Sequence, residues 1–215
     1  MTCKGEVDLH TDSGYRRVNG DNDEVKGQGM RGMNVIRRGT RLDGKGGAVH
    51  LLESICKSHR LQIRSSYGAE MIAAANGYDD AYPVLVTLHE LREGVLPAEQ
   101  LARIREEGGL CLVITLTTDA ESCYKSLTSR DLKIPSEKTL LGHVKWIRQH
   151  LQTGLITSIQ WCDTRDMTAD GHTKGSVDRR LLLLLMRGQQ TFQHDIKKYT
   201  PRFGNNSTRT RKVGF

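Results

Sequence analysis

The feature that most constrains the fold is a continuous apolar run at residues 110–116, rich in residues that favour β-strands. The run lacks the apolar–polar alternation of a half-exposed strand, and this absence is typical of a central strand covered on both faces. Segments with the apolar spacing of amphipathic helices, such as residues 137–153, are available to cover it. We therefore predict an α/β layer fold, in which helices pack on a mixed sheet.

Weaker patterns predict further elements around this strand. Residues 6–12 alternate apolar and polar side chains, which predicts a half-buried strand. A helical pattern opens at Ser66, and Pro83 predicts a kink or a break in it. The other predicted elements are strands at 30–38, 48–63 and 156–161, and helices at 84–91, 97–107, 120–129, 137–153 and 166–186.

Positive charge is concentrated in two segments of a chain whose net charge is +7. Residues 26–64 carry nine basic and two acidic side chains, and residues 196–215 carry six basic and no acidic ones, so the remainder is acidic. This division suits an enzyme that binds a polyanion and keeps carboxylates for a metal, although a basic end is also typical of a solvated tail. We predict one domain at 1–195, loop-rich at 19–47, and a basic, disordered tail at 196–215.

The sequence also indicates a compartment. Its apolar runs are shorter than the roughly 18 residues that a membrane span needs. Its first residues lack the apolar core of a secretory signal. The five cysteines contain no CxxC pair, which favours a reducing environment over a zinc ribbon or a disulfide framework. We expect a protein that is neither secreted nor inserted in a membrane.

Four carboxylates stand where α/β proteins place their chemistry. Asp12 and Asp119 follow predicted strands, Glu70 lies early in a predicted helix, and Asp170 lies near the start of the last one. Small residues flank all four, and they leave room for a hydrated cation and a phosphate backbone. Carboxylates gathered in one cleft repel each other unless cations neutralise them, and oxygen ligands suit Mg²⁺ or Mn²⁺. Each one alone is more typical of a helix cap or a solvated charge, so only their placement together indicates a metal site.

Four motifs carry a resemblance to a known family. They are RSSYGAEMIAAA at 64–75, TDAES at 118–122, the helix at 138–156 with its WIRQH and glycine, and DMTADGHTK at 166–174. In this order they resemble the ribonuclease H domain of copia-type retrotransposon Pol polyproteins, over about residues 60–188. The N-terminal third is similar to this family only through residues Thr11–Gly14.

The resemblance implies a ribonuclease H-like fold, a five-stranded mixed sheet with three antiparallel strands first and helices on both faces. It implies metal-dependent endonucleolytic hydrolysis of the RNA strand of RNA–DNA hybrids during reverse transcription. The implied partners are the hybrid and a fused or associated reverse transcriptase, without a membrane. The implied location is the cytoplasm, in a virus-like particle, or the nucleus.

The resemblance also implies roles for individual residues. Asp12, Glu70, Asp119 and Asp170 would be the catalytic carboxylates and would hold two Mg²⁺ or Mn²⁺ ions, with Asp12 and Asp119 contacting both. Asp8, on the same strand face, is the alternative to Asp12. The expected nucleic-acid contacts are Arg37, Arg38, Arg41, Arg60, Arg64, Ser122 and Lys174.

Other readings stay open beside this one. Ala120 stands where the family usually has Asn, and Gly171-His172 replaces two apolar residues, so a catalytically decayed, nucleic-acid-binding relic is the alternative function. An integrase-like relative is disfavoured by the order Asp, Glu, Asp, Asp. His59 and His172 are candidates for a histidine that assists product release. His143 and His150 share a helix face without an evident third metal ligand.

Overall fold

The structure, a computed structural model, describes residues 5–14, 29–39, 45–60, 63–175 and 178–201. It contains a seven-stranded mixed sheet in the order β6-β3-β2-β1-β4-β5-β7. The strands are β1 (Gly5–Gly14), β2 (Met30–Arg38), β3 (Gly46–Ser58), β4 (Leu112–Thr118), β5 (Ser158–Cys162), β6 (Gln189–Thr191) and β7 (Ile196–Tyr199). The α/β prediction is confirmed, and residues 110–116 contribute most of the central strand β4.

Strand directions match the expected pattern, but the strand count does not. The first three strands are antiparallel, whereas β4 runs parallel to both β1 and β5. The expected count of five is wrong because β6 and β7, three and four residues long, extend the two edges. Strand β7 uses residues 196–199 of the predicted tail and pairs antiparallel with β5. The tail from 202 onward lies outside the described residues, as do residues 15–18 and residues 19–28 and 40–44 of the loop-rich region.

Six α-helices accompany the sheet in the described part of the chain. They are α1 (Ser66–Glu93), α2 (Ala98–Glu107), α3 (Glu121–Thr128), α4 (Leu141–Thr153), α5 (Asp170–Thr173) and α6 (Arg180–Met186). None of these described helices has the length and apolar character needed to span a bilayer. Residues 166–186 were predicted to be mostly helical. In the structure, a 3₁₀ turn at Thr164–Asp166 ends where this range begins, and only the two short helices α5 and α6 follow among its described residues.

Helix α1 runs through Pro83 as one 28-residue helix, so the predicted break is wrong. Proline removes one backbone donor, which would have bonded to the carbonyl of Asp79. Both Pro83 and Asp79 are exposed, so water can satisfy that carbonyl. The apolar face of the helix stays buried on either side of the proline, from Ala81 to Leu85. Tertiary packing therefore overrides the local penalty.

Both faces of β1 are buried, although its alternation predicted only one. Val7, Leu9 and Thr11 face α1, in the main core. The polar face is covered by the C-terminal segment, where the His10 ring contacts the Thr168 hydroxyl and the Gln190 amide, each at 3.0 Å. Helices α1 and α5 thus lie on opposite faces of the sheet.

Close packing of α1 on β1 depends on Gly77. A Cβ at this position would lie 2.7 Å from Thr11 Cγ2, closer than two carbons pack. Because α1 also carries Glu70, the approach at Gly77 sets how near that carboxylate comes to the end of β1. The glycine therefore links helix packing to the position of a candidate site residue.

We expect Gly77→Ala to destabilise the protein by about 1–3 kcal/mol, because the methyl group overpacks the helix–sheet contact. Gly142→Ala is the matched control: it lies in α4 with no atom within 4 Å of the added Cβ, and should be neutral or stabilising by up to about 1 kcal/mol. Urea denaturation of both variants measures the difference. A Gly77→Ala protein as stable as the wild type would contradict the packing account.

Candidate active site

Three carboxylates converge where the parallel strands β1 and β4 end. The register pairs His10 with Thr117, so Asp12 and Asp119 stand level, each two residues further along its strand direction. Glu70 reaches them from the second turn of α1. One oxygen from each of Asp12, Glu70 and Asp119 lies within 4.8 Å of the other two. The structure thus brings together three of the four predicted carboxylates.

Hydrogen bonds from neighbouring segments orient each carboxylate. The Thr173 hydroxyl donates to Asp12 Oδ2, and the Ser13 amide donates to Glu70 Oε1 at 3.2 Å. One group in β5 and one just after it hold Asp119. The indole nitrogen of Trp161 in β5 donates to its backbone carbonyl at 2.7 Å, and Thr164 Oγ1 after β5 donates to its Oδ2 at 2.8 Å. The sequence gives no signal for these roles of Thr164 and Trp161, because each is separated from Asp119 by more than forty residues along the chain.

The donor set fits a divalent cation. Asp12 Oδ1 and Glu70 Oε2 are buried and have no hydrogen-bond partner. A buried carboxylate oxygen without a partner is costly, and a bound cation removes that cost. Carboxylate oxygens are the ligands that Mg²⁺ and Mn²⁺ prefer. Asp12, Glu70 and Asp119 could therefore hold such an ion.

Asp170 joins the cluster through a lysine. It begins α5, is buried, and accepts a 2.6 Å hydrogen bond from the Lys174 ammonium. The same ammonium lies 3.6 Å from Asp12 Oδ1 and 3.9 Å from Asp119 Oδ2. Lys174, predicted as a nucleic-acid contact, is therefore an ion-pair partner within the carboxylate cluster.

Crowding shifts the protonation of these groups. Burial, and then the Asp12 and Asp119 carboxylates, raise the pKa of Glu70 to about 10. Burial and Asp12 raise the pKa of Asp119 and bring the pKa of Asp170 to about 7. Burial alone would lower the pKa of Lys174, but its carboxylate neighbours outweigh that effect and raise it. Without a divalent cation, Glu70 is protonated at neutral pH.

Asp8, the alternative first ligand, lies elsewhere. It sits four residues before Asp12 on the same face of β1, about 13 Å along the strand. Its carboxylate pairs with the Arg38 guanidinium, and both side chains are almost fully buried. Asp12 therefore occupies the cluster, and Arg38, predicted to bind nucleic acid, is inside the protein.

The remaining predicted arginines divide between the two ends of the molecule. Arg64 is exposed directly before α1, and the exposed Arg60 lines a groove with Ile72 and Asn76 in the N-terminal half of α1, which also carries Glu70. Arg37 lines a groove with Leu91 near the end of α1, about 30 Å along the helix from Glu70. Arg60 and Arg64 thus lie on the same side as the cluster, and Arg37 does not. Arg41 lies outside the described residues.

The other polar candidates have defined surroundings. Ser122 is exposed in the first turn of α3, three residues after Asp119. The His59 ring contacts Ser13 Oγ at 2.7 Å, and burial followed by Arg31 lowers its pKa to about 4. The His172 ring contacts Asn34 Oδ1 at 2.9 Å. Sheet residues thus hold both histidine rings.

Of the two histidines on α4, His150 has a packing role. The His150 ring lies 3.9 Å from the Trp146 ring, between centroids, and its Nδ1 is 2.8 Å from the Trp146 carbonyl oxygen. Tyr78 packs edge-on against both rings. His150 therefore belongs to an aromatic cluster with Trp146 and Tyr78.

Comparison with known proteins gives structural neighbours only. No protein-family model and no curated protein matches the chain. It is similar to the N-terminal RNase H domain of a Mycobacterium tuberculosis protein, solved as a fusion with maltose-binding protein (14% identity, TM-score 0.44, 79% of this chain and 91% of that chain). It is also similar to LC11-RNase H1 in complex with an RNA/DNA hybrid (13% identity, TM-score 0.46, 81% of this chain and 99% of that chain). At such low identities and TM-scores, the function of this chain has to be inferred from its own side chains.

The raised pKa of Glu70 predicts how stability changes with pH. Between pH 4.5, its ordinary value, and about 10, the folded state keeps a proton that the unfolded state has lost, so stability falls as pH rises. Glu70→Gln removes this loss, by at most about 1.4 kcal/mol per pH unit. In chelator, we expect its stability advantage over the wild type to grow from pH 5 to pH 8.

Urea unfolding at several pH values measures this difference. Glu106→Gln, at an exposed position on α2, is the control and should show no comparable growth. A Glu70→Gln advantage that stays constant or shrinks as pH rises would contradict the assigned burial of the carboxyl group.

Proposed function

We propose that this chain is a divalent-metal-dependent ribonuclease that hydrolyses the RNA strand of RNA–DNA hybrids. The observation that carries the proposal is the convergence of Asp12, Glu70 and Asp119, with two buried carboxylate oxygens that have no hydrogen-bond partner. The antiparallel first three strands, followed by parallel β4 and β5, agree with the sheet that the sequence resemblance implies. Asp170 completes the proposed set of catalytic carboxylates.

The side chains of the cluster divide the proposed chemistry between them. Asp12, Glu70 and Asp119 would hold Mg²⁺ or Mn²⁺, which supplies a Lewis acid for water activation and for charge on the scissile phosphate. Thr164 and Trp161 fix the orientation of Asp119. The small residues that flank the carboxylates let a phosphate backbone approach.

The proposed substrate contacts lie beside the cluster. Arg60 and Arg64 are exposed at the same end of α1 as Glu70, where their guanidinium groups can bind backbone phosphates. Such contacts position a duplex without reading its sequence, and a hybrid is distinguished by shape and by its 2′-hydroxyls. We therefore expect the chain to prefer RNA–DNA hybrids over other duplexes, without preferring a particular base sequence.

The biological context is part of the same proposal. The motifs at 64–75, 118–122, 138–156 and 166–174 support an origin in a copia-type Pol polyprotein. A reverse transcriptase, fused or associated, would then generate the hybrid that this chain degrades. The proposed location is a cytoplasmic virus-like particle or the nucleus.

Cleavage of a labelled hybrid tests the activity. We expect the full chain to cut the RNA strand with Mg²⁺ or Mn²⁺ and to stop in chelator. Asp119→Asn should lower the rate at least about 100-fold, because it weakens a metal ligand. Asp131→Asn, at an exposed position, should cut like the wild type. Intact RNA at high concentrations of folded protein, with either metal, would overturn the proposal.

Hybrid binding tests the substrate surface separately from cleavage. Replacing both Arg60 and Arg64 by Ala should weaken binding and reduce the slope of log affinity against log salt by about 1–2, because phosphate contacts are lost. Arg37→Ala should leave both quantities unchanged, because Arg37 lies near the other end of α1. Equal losses in the two proteins, measured by fluorescence anisotropy, would contradict the assigned surface.

A catalytically decayed relic that binds nucleic acid is the second candidate. The observation that favours it is the Lys174 ammonium, which already neutralises Asp170 and lies close to Asp12 and Asp119. Ala120 and Gly171-His172, where the family differs, point the same way. Hybrid binding without metal-dependent cleavage by the folded chain would support this candidate.

A further inference from the structure

The carboxylate cluster has two halves that differ in how their charge is balanced. In the first half, Asp12, Glu70 and Asp119 face one another, and Asp12 Oδ1 and Glu70 Oε2 have no hydrogen-bond partner. In the second half, between Asp12 and Asp170, the Lys174 ammonium is already present. The ammonium is 2.6 Å from Asp170 Oδ1, but 3.6 Å from Asp12 Oδ1 and 3.9 Å from Asp119 Oδ2. Its positive charge therefore lies closest to the second half.

The position of Lys174 follows from its place in the chain. It comes directly after α5, four residues beyond Asp170, and its backbone amide donates to the Asp170 carbonyl at 3.1 Å. This spacing puts both side chains on one face of the turn. Thr173 ties the same turn to β1 through its bond to Asp12. The backbone bond to Asp170, the four-residue spacing and the Thr173 bond to Asp12 together direct the ammonium into the cluster.

We propose that the chain binds one divalent cation, between Asp12, Glu70 and Asp119, and that the Lys174 ammonium takes the place of a second one. This inference rests on the proposed function, because it concerns the same site. It departs from the two ions that the sequence resemblance implies.

The charge balance of the cluster supports a single ion. Four carboxylates carry at most four negative charges, which one divalent cation and one ammonium nearly compensate. A second divalent cation would lie against the ammonium and repel it, or would have to displace it from Asp170. Lysine suits the substitution because its ammonium is a compact point charge with three donors, which can contact several carboxylates at once.

Metal stoichiometry tests the inference without measuring activity. Mn²⁺ is titrated calorimetrically into the folded wild type, Lys174→Gln and Lys57→Gln. Lys57 is the matched control because it pairs with Asp80, outside the cluster. We expect one Mn²⁺ per chain for the wild type and for Lys57→Gln, and two for Lys174→Gln. Electron paramagnetic resonance should show a coupled manganese pair in Lys174→Gln alone.

The outcomes separate this inference from the proposed function. Two ions in the wild type, or one in folded Lys174→Gln, would overturn the inference and leave a metal site in place. No bound Mn²⁺ in any folded protein would overturn the proposed function as well. If Lys174→Gln fails to fold, Lys174→Arg, which keeps the charge, should bind one ion, and two ions in it or in the wild type would overturn the inference.

Discussion

Burying several carboxylates at one place is the constraint on which the structure depends. Like charges at such distances cannot all stay ionised unless protons or cations compensate them. The parallel ends of β1 and β4 bring Asp12 and Asp119 level, and the close approach at Gly77 seats α1, which carries Glu70. The turn after β5 orients Asp119, and α5 delivers Lys174. The sheet, two helices and the turn after β5 thus all contribute side chains to this cluster of buried charge.

Burying these carboxylates lowers the stability of the folded chain and leaves oxygens that can bind a cation. Glu70 is held in a buried position that raises its pKa to about 10, and two carboxylate oxygens lack hydrogen-bond partners. A ligand that binds only the folded state stabilises it, so a bound cation would recover part of this loss. Lys174 offsets another part of the cost of buried carboxylates, because its ammonium belongs to the chain and pairs with Asp170. Buried charge is therefore least compensated at Asp12 and Glu70, where the metal is proposed to bind, and is compensated by Lys174 at Asp170.

Sequence patterns predicted the parts of this picture that local chemistry controls. The apolar run at 110–116 predicted a central strand, and strand ends pointed to Asp12 and Asp119. Long-range contacts explain the failures. The C-terminal segment buries the polar face of β1, and Asp8 pairs with Arg38 inside the protein. Packing keeps α1 helical through Pro83, and β6 and β7 are too short to show a pattern. The 170–174 spacing was visible, but the reach of Lys174 to β1 and β4 was not.

Anomalous diffraction from crystals of the full chain soaked in Mn²⁺ tests the central claim most directly, because it locates the ion itself. We expect one manganese peak, coordinated by Asp12, Glu70 and Asp119, with the Lys174 ammonium still beside Asp170. A fully soaked crystal with no peak in this cluster, or with its manganese held by other side chains, would contradict it.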